Sequence, residues 1–199
     1  MPADPTADLK RALRAELRER RRVRTQTERE RDTAHLTENL QRLVAEHHAT
    51  SVSAYLSGVD EPNTRPFLNW AREAGIRTLL PVSRDDGLLD WTTGDGESEH
   101  TGSIGFPEAE GELLGPIAVN DVDLILVPAA AVDRTGMRLG WGRGYFDKTL
   151  GSMEKCPPVY AVLFDGELVD DVPRERHDAP VDGVVTPTRI VRLRRAPNP

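Results

Sequence analysis

Leucines at helical spacing open the chain. The stripe consists of Leu9, Leu13 and Leu17. Since Pro5 also stands where the first turn of a helix tolerates proline, the pattern predicts a helix over 5–22. The capping box at 25–28 predicts a second helix that runs to Glu46. Together these helices would form an N-terminal segment of residues 5–50.

Beyond residue 50, short apolar runs alternate with helical patterns. The runs predict strands at 51–56, 76–82, 122–128, 159–164 and 183–185. Between the first two, the spacing of Phe67, Trp70 and Ala71 predicts a helix that ends at Gly75. A further helix is predicted to begin near Tyr145. Strands that alternate with helices predict a doubly wound, mainly parallel α/β sheet with helices on both faces.

Residues 84–116 interrupt this alternation. Asp86-Gly87 and Asp95-Gly96 are turn signals, and the short apolar run 88–91 lies between them. We therefore expect a hairpin-rich excursion and not a second domain. A single domain over 1–199 is long enough to bury a sizeable core.

The composition is typical of a soluble globular protein, with 38% hydrophobic and 30% charged residues. No apolar run approaches the ~20 residues that a membrane helix needs, and the N-terminus lacks the apolar core of a secretory signal. The single cysteine, Cys156, excludes an internal disulfide and suits a reducing compartment. We therefore expect a cytoplasmic protein that binds no membrane.

Charge is unevenly distributed along the chain. The net charge of −7 disfavours a nucleic-acid-binding protein. The first predicted helix is nevertheless basic, with Lys10, Arg11, Arg14, Arg18, Arg20, Arg21 and Arg22. Most of these arginines suit a solvated face that pairs with Glu16 and Glu19. A local basic strip of this kind could still receive a phosphate or an anionic substrate.

The segment 136–147 carries the strongest signal of a binding site. Its central glycines stand at alternate positions, Gly140, Gly142 and Gly144. Without a Cβ at these positions, backbone N–H groups can approach a ligand closely. The segment lies between a predicted buried strand and a predicted helix, where α/β proteins bind anions. Arg138 and Arg143 add positive charge, and Asp147 could hold magnesium beside a phosphate.

By itself this loop admits two interpretations. Glycine-rich turns without a ligand are about as common as those that bind phosphate. The spacing matches neither a Walker A loop nor the G-x-G-x-x-G of a dinucleotide site. An aspartate such as Asp147 is more often a charge at a helix N-terminus than a metal ligand.

Residues 138–147, Arg-Leu-Gly-Trp-Gly-Arg-Gly-Tyr-Phe-Asp, resemble the signature of the 5-formyltetrahydrofolate cyclo-ligase family. The preceding strand 123–128 and turn 133–136 resemble the same family. Four further stretches agree with it in order and spacing. They are Lys10-x-x-x-Arg14, the segment 55–64, Gly105-Phe106-Pro107-Glu108 and a C-terminal signature within 172–187.

The resemblance implies a role for each matched residue. Those implied for ATP are Lys10, Arg11, Arg14, Arg138, Leu139, Gly140, Trp141, Gly142, Arg143, Gly144, Tyr145 and Phe146. Those implied to neutralise charge in catalysis are Lys10, Arg14, Arg138 and Arg143. Those implied for the folate are Leu56, Glu61, Trp141 and Tyr145, and those for magnesium are Asp147 and Asp182. Without the resemblance, Lys10, Arg14 and Glu61 would be interpreted as surface charges.

The resemblance also implies the reaction. ATP and magnesium would drive closure of 5-formyltetrahydrofolate to 5,10-methenyltetrahydrofolate, with release of ADP and phosphate. Such chemistry relies on positioning and charge neutralisation and needs no protein nucleophile. We expect a monomer that binds these small molecules. The rival interpretations are a sugar-phosphate isomerase or transferase on a similar sheet, a non-catalytic nucleotide-binding protein, and a protein whose basic helix meets nucleic acid.

The sequence departs from the family pattern near the loop. Phe146 stands where a second tyrosine is usual, and Ala-Ala-Ala-Val at 129–132 replaces a run that often contains glycine, leucine and phenylalanine. Trp141 and Arg143 occupy variable positions. We therefore expect pocket walls that differ from those of relatives.

Overall fold

Helices and strands alternate along the computed structural model, which describes residues 5–94, 97–102, 105–153, 155–175 and 178–193. The α-helices in these ranges are α1 (Pro5–Arg22), α2 (Gln26–Glu46), α3 (Arg65–Glu73) and α4 (Tyr145–Gly151). The predicted capping box forms at the start of α2, where the Thr25 hydroxyl accepts from the backbone N–H of Glu28 and the Glu28 carboxylate accepts from that of Thr25. None of the described helices is long and apolar enough to cross a membrane.

Thirteen strands in the described ranges form one large and two small sheets. They are β1 (Ser51–Ser53), β2 (Arg77–Ser83), β3 (Leu89–Thr92), β4 (Glu99–Thr101), β5 (Pro107–Ala109), β6 (Leu113–Leu114), β7 (Leu124–Pro128), β8 (Ala131–Asp133), β9 (Arg138–Leu139), β10 (Val159–Val162), β11 (Leu168–Val169), β12 (Gly183–Val185) and β13 (Ile190–Arg192). The large sheet has the order β13-β12-β10-β7-β1-β2-β3-β6. Its five strands from β12 to β2 are parallel, which confirms the mainly parallel α/β sheet.

The excursion 84–116 contains the predicted hairpin, but part of it continues the large sheet. β3 pairs antiparallel with β2, and β6 pairs antiparallel with β3. β4 and β5 form a separate antiparallel pair. Residues 95, 96, 103 and 104 of this excursion lie outside the described ranges.

Apolar side chains cover both faces of the large sheet. β7 shows the division, since Leu124 and Leu126 join one core cluster while Ile125 and Val127 join the other. Successive side chains of a strand point to opposite faces, so a strand buried on both sides is apolar throughout. α2 and α3 cover the first face, and α4 with a 3-10 helix at Pro116–Asp121 covers the second. Helices on both faces confirm the doubly wound arrangement.

α1 crosses the carboxyl ends of the parallel strands. Arg21 donates from Nη2 to the carbonyl of Ala129, which follows β7, over 2.8 Å. The same guanidinium binds Glu167, in a 3-10 helix after β10, through Nε over 2.6 Å and Nη2 over 2.8 Å. Leu17 packs into a small core cluster with Ala130 and Leu139. α1 is thereby fixed above the loop that follows β9.

The predicted leucine stripe is wrong at its first member. Leu9 is 58% exposed, whereas the side chains that α1 buries are Lys10, Leu17 and Arg21. The reason is that this helix docks onto carboxylates as well as onto apolar groups. Charged side chains therefore occupy positions that an entirely apolar interface would give to leucine.

Candidate active site

A glycine loop connects β9 to α4 beneath α1. Gly142 and Gly144 have φ values of +94° and +73°, in the left-handed region that favours glycine. Arg14 donates from Nε to the carbonyl of Gly140 over 2.7 Å. A Cβ on Gly142 would stand 3.4 Å from the guanidinium carbon of Arg14. The glycines thus allow an arginine of α1 to lie directly against the loop backbone.

A polar cleft lies between α1, the glycine loop and the segment that contains Asp178. Its charged walls include Lys10, Arg14, Arg143, Asp147, Glu175 and Asp178. Lys10 Nζ donates to Glu175 over 2.5 Å and to Asp178 over 2.6 Å. Burial opposes charge on Lys10, but these two hydrogen bonds outweigh it and raise the pKa of the ammonium. Lys10 therefore remains a cation at neutral pH, held by two carboxylates.

The other predicted cations of α1 and the loop differ in their surroundings. Burial lowers the pKa of Arg14, although nearby Asp178 opposes the shift. Arg143 is exposed at the mouth of the polar cleft. Arg11 is 77% exposed at its side chain and pairs with Asp8, so the structure does not bring it into the cleft. The reason is its position one residue after Lys10, which turns its side chain away from the docked face.

Arg138 and Asp147 form a buried ion pair in the wall of the site. Arg138 is 3% exposed, and its Nη2 donates to Asp147 Oδ1 over 2.6 Å. Its Nη1 donates to the carbonyl of Pro128 over 3.2 Å. Asp147 Oδ1 also accepts from the backbone N–H of Ala179 over 3.2 Å. The charge of Arg138 is thus balanced inside the protein before any ligand binds.

An apolar cavity lies on the other side of the glycine loop. Its apolar walls include Leu56, Pro81, Phe106, Trp141, Tyr145 and Phe146. The guanidinium groups of Arg18 and Arg21 lie 5.2 Å and 4.8 Å from the Trp141 ring, close enough for cation–π contacts. The Tyr145 hydroxyl donates to the carbonyl of Arg84 over 3.1 Å, which leaves its ring as the part that faces the cavity.

Glu61 supplies a carboxylate to this apolar cavity. Its Oε2 accepts from the backbone N–H of Gly58 over 2.9 Å. Burial raises the pKa of Glu61, and the hydrogen bond from Gly58 and the charge of Arg21 oppose the rise. The indole N–H of Trp141 also opposes the rise in the Glu61 pKa slightly. It makes no full hydrogen bond to the Glu61 carboxylate. Glu61 is therefore half-buried at the wall of the cavity.

The polar cleft and the apolar cavity share one wall. The residues that line both are Arg138, Gly140, Arg143, Gly144 and Asp147. Leu139 and Gly142 line only the cleft, whereas Trp141 lines only the cavity. The loop therefore borders both compartments, and Gly140 and Gly144 line the two at once.

The structure does not bring Asp182 to Asp147. Asp182 Oδ2 accepts from the backbone N–H of Val159 over 2.8 Å, at the start of β10. Asp182 also directly precedes β12, so it lies at the amino ends of the parallel strands, whereas the site lies at their carboxyl ends. Asp178, four residues earlier, lines the polar cleft together with Asp147. The structure therefore brings Asp178, and not the expected Asp182, into the cleft beside Asp147.

Four residues of the site were missed in the sequence. Asp178 and Glu175 belong to the C-terminal stretch that matched the family, but nothing in their spacing shows that they face Lys10. Glu108 lies 6% exposed in the wall of the apolar cavity and accepts from the backbone N–H of Ser83 over 2.9 Å. Tyr55 precedes the matched Leu56 and lines the same cavity. Only the tertiary structure reveals these placements.

The sequence model of the 5-formyltetrahydrofolate cyclo-ligase family matches residues 6–187. The chain belongs to this family. A cyclo-ligase of that name from Mycolicibacterium smegmatis is 39% identical over 150 residues, which cover 72% of this chain and 77% of the relative. One from Escherichia coli is 31% identical over 147 residues, covering 71% and 80%. The structure of a 5,10-methenyltetrahydrofolate synthetase from Aquifex aeolicus, 28% identical, matches with a TM-score of 0.77 over 94% of each chain.

Family membership makes this chain an enzyme, a cyclo-ligase. It confirms the resemblance that the glycine loop and the other matched stretches indicated.

The structure shows where the departures from the family pattern lie in this cyclo-ligase. Ala129, Ala130, Ala131 and Val132 are all buried. Ala130 and Ala131 share a core cluster with Leu17 of α1, and the carbonyl of Ala129 accepts from Arg21. Phe146 lines the apolar cavity with its ring.

The raised pKa of Glu61 predicts a pH-dependent effect of Glu61→Gln on stability. A carboxyl whose folded pKa exceeds its unfolded pKa favours folding when protonated and loses that contribution as pH rises through the folded pKa. We therefore expect the free energy of unfolding of Glu61→Gln to exceed that of the wild type at pH 7. The difference should shrink as pH falls to about 4, near the ordinary glutamate value. Urea unfolding at several pH values checks this, and a pH-independent difference would contradict it.

Proposed function

We propose that this cyclo-ligase converts 5-formyltetrahydrofolate to 5,10-methenyltetrahydrofolate, using ATP and magnesium and releasing ADP and phosphate. The observation that carries the proposal is the shared wall between the polar cleft and the apolar cavity. A nucleotide in the cleft and a folate in the cavity would place a terminal phosphate next to a formyl group. All the groups that the reaction uses lie in one chain, so a monomeric single domain suffices.

The polar cleft suits the phosphates of ATP. Lys10, Arg14 and Arg143 supply three positive charges, and the positive-φ glycines expose the loop backbone beside them. Glu175 and Asp178 hold Lys10 in the absence of nucleotide. A phosphate would compete with these carboxylates for the ammonium. Binding would therefore exchange one set of charge-assisted hydrogen bonds for another.

The apolar cavity suits the ring system of a reduced folate. Leu56, Trp141 and Tyr145 provide apolar walls, and the rings of Trp141 and Tyr145 are flat surfaces against which a heterocycle could pack. Glu61 supplies a carboxylate that can accept from the N–H groups of the ring. This combination of apolar walls with one carboxylate is suited to a planar, hydrogen-bonding ligand.

Two bond exchanges complete the proposed reaction. The formyl oxygen attacks the γ-phosphorus, and the bond from that phosphorus to the bridging oxygen of ADP breaks. The N10 lone pair then attacks the activated carbon, N10 loses its proton to solvent, and the carbon–oxygen bond breaks to release phosphate. Neither step needs a protein nucleophile, so the protein contributes position and charge. Lys10, Arg14 and Arg143 would neutralise charge on the phosphates, and the Arg138–Asp147 pair would hold the loop that borders both reactants.

The carboxylates of the cleft fit a magnesium ion only in company with phosphate oxygens. Magnesium is commonly held by one or two carboxylates together with phosphate and water. Asp147 and Asp178 both line the cleft and supply such carboxylates. Across the described ranges, no group of three or more metal-ligating side chains forms a site by itself. Bound with the nucleotide, the ion would offset phosphate charge.

The deciding experiment measures formation of the methenyl chromophore from 5-formyltetrahydrofolate by the purified protein. The chromophore and ADP should appear in equal amounts, and only when ATP and magnesium are both present. Omitting the folate should stop ADP formation. A sugar-phosphate isomerase or transferase would show no such coupling, and a binding protein would release neither product. Chromophore formation without ATP would contradict the proposal.

Replacing Gly142 with alanine should separate nucleotide binding from stability. Gly142→Ala adds a methyl at φ +94°, 3.4 Å from the Arg14 guanidinium. We expect a stability loss of about 1 kcal/mol from the backbone strain. The rise in melting temperature that ATP and magnesium give the wild type should largely disappear, because the strained loop backbone and the added methyl displace the phosphates.

Gly75→Ala is the matched control for this variant. Gly75 has φ +71°, and a Cβ there would meet nothing within 4 Å. It ends α3, away from the loop. This variant should lose comparable stability and keep the full ATP-induced shift. Equal shifts in both variants would show that the glycine loop does not hold the nucleotide.

The pair of carboxylates in the cleft, Asp147 and Asp178, gives a prediction about magnesium. Asp178→Asn should lower turnover and raise the magnesium concentration for half-maximal rate several-fold, because Asp178 lines the cleft with Asp147. Asp182→Asn should retain the wild-type magnesium dependence, since Asp182 bonds to Val159 at the opposite ends of the strands. Magnesium titrations of both variants check this. The reverse pattern would restore the original pairing of Asp147 with Asp182.

A further inference from the structure

The hydroxyl of Tyr55 is buried without a hydrogen-bond partner. Tyr55 is 4% exposed, and its oxygen has no partner among the described residues. More than about nine in ten buried polar groups in proteins are hydrogen-bonded, so an exception calls for an explanation. Leaving a hydroxyl in such a position destabilises the folded protein by itself.

Unpartnered polar atoms concentrate around the apolar cavity. Six buried side-chain atoms in the described ranges lack a partner, and three of them belong to residues that line this cavity: Tyr55 Oη, Arg138 Nε and Trp141 Nε1. All three groups carry a hydrogen and can donate it. The residues of the cavity wall thus include three donor groups that make no hydrogen bond within the described ranges.

The surroundings of Tyr55 keep its hydroxyl protonated. Burial raises the pKa of Tyr55 well above its usual range, and the negative charge of Glu61 raises it further. Tyr55 therefore stays a neutral donor while Glu61 beside it offers an acceptor. A heterocycle with an N–H group beside an acceptor atom could bond to both, with the N–H donating to Glu61 and the acceptor atom receiving the hydrogen bond of Tyr55.

We propose that the Tyr55 hydroxyl binds the folate ring directly, by donating to an acceptor atom of the heterocycle whose N–H groups Glu61 accepts. Trp141 Nε1 supplies a second donor to the same ring. The ligand class is a heterocycle with an amino or ring N–H beside a carbonyl or ring nitrogen, a pattern that a pterin carries. This inference rests on the proposed function and adds a specificity-determining residue to it.

Tyr55→Phe tests the inference, because it removes only the hydroxyl. We expect two opposite effects in the same variant. The melting temperature of the ligand-free protein should rise or hold, since an unsatisfied buried group is gone. The affinity for 5-formyltetrahydrofolate, measured by calorimetry without nucleotide, should fall about tenfold. The affinity for ATP with magnesium should not change.

Tyr160→Phe is the matched control. Tyr160 is 2% exposed in the same large sheet, but its hydroxyl lies 3.3 Å from His47 Nε2 and so has a partner. It lines neither the cleft nor the cavity. This variant should gain no stability and should bind 5-formyltetrahydrofolate as the wild type does.

Each outcome decides one question. Equal folate affinity in Tyr55→Phe and wild type would overturn the role of Tyr55 and leave the proposed function standing. A lower melting temperature together with weaker folate binding would also overturn it, because the hydroxyl would then have a partner in the free protein. No binding of 5-formyltetrahydrofolate by the wild type would refute the proposed function and this inference with it.

Discussion

The buried ion pair between Arg21 and Glu167 holds the site together. Arg21 makes two charge-assisted hydrogen bonds to the carboxylate and a third to the carbonyl of Ala129. Glu167 Oε2 also accepts from the backbone N–H of Phe164 over 2.8 Å. Breaking a buried pair by removing one partner leaves an uncompensated charge and typically costs about 3–5 kcal/mol. The pair therefore fixes α1 to the ends of both β7 and β10.

The position of α1 determines the chemistry of the polar cleft. With Arg21 fixed, the helical repeat carries Arg14 to the glycine loop and Lys10 to Glu175 and Asp178, all on one side of the helix. Acidic groups balance the cations of the cleft, and in the proposed function the phosphates of a nucleotide would displace these carboxylates and pair with the cations. The glycine loop lines both the polar cleft and the apolar cavity. In the proposed reaction, a nucleotide and a heterocycle would meet directly where the two compartments adjoin at this loop.

The sequence predicted the sheet and the glycine loop well, because both depend on local patterns. Apolar runs fix the strands, and the glycines mark a loop whatever surrounds it. Long-range pairing could not be predicted in the same way. The leucine stripe of α1 pointed to Leu9, because nothing local shows that Lys10 meets carboxylates more than 160 residues away. The resemblance implied Asp182 for magnesium, and the sequence could not show that Asp182 lies at the other end of the sheet, because strand register decides where a carboxylate lies. The sequence indicated that Arg138 was a cation available to a ligand, because its ion pair with Asp147 depends on how the loop folds.

Docking of α1 by Arg21 and Glu167 would create the proposed nucleotide site. The most direct test is the affinity of Glu167→Gln for ATP with magnesium, measured at a temperature where circular dichroism shows the variant folded. Glu167 lines neither the polar cleft nor the apolar cavity, yet we expect at least a tenfold loss of affinity for ATP with magnesium. Glu16→Gln, which removes an exposed partner of Arg20 on the same helix, should bind as the wild type does. Unchanged affinity in folded Glu167→Gln would contradict the account.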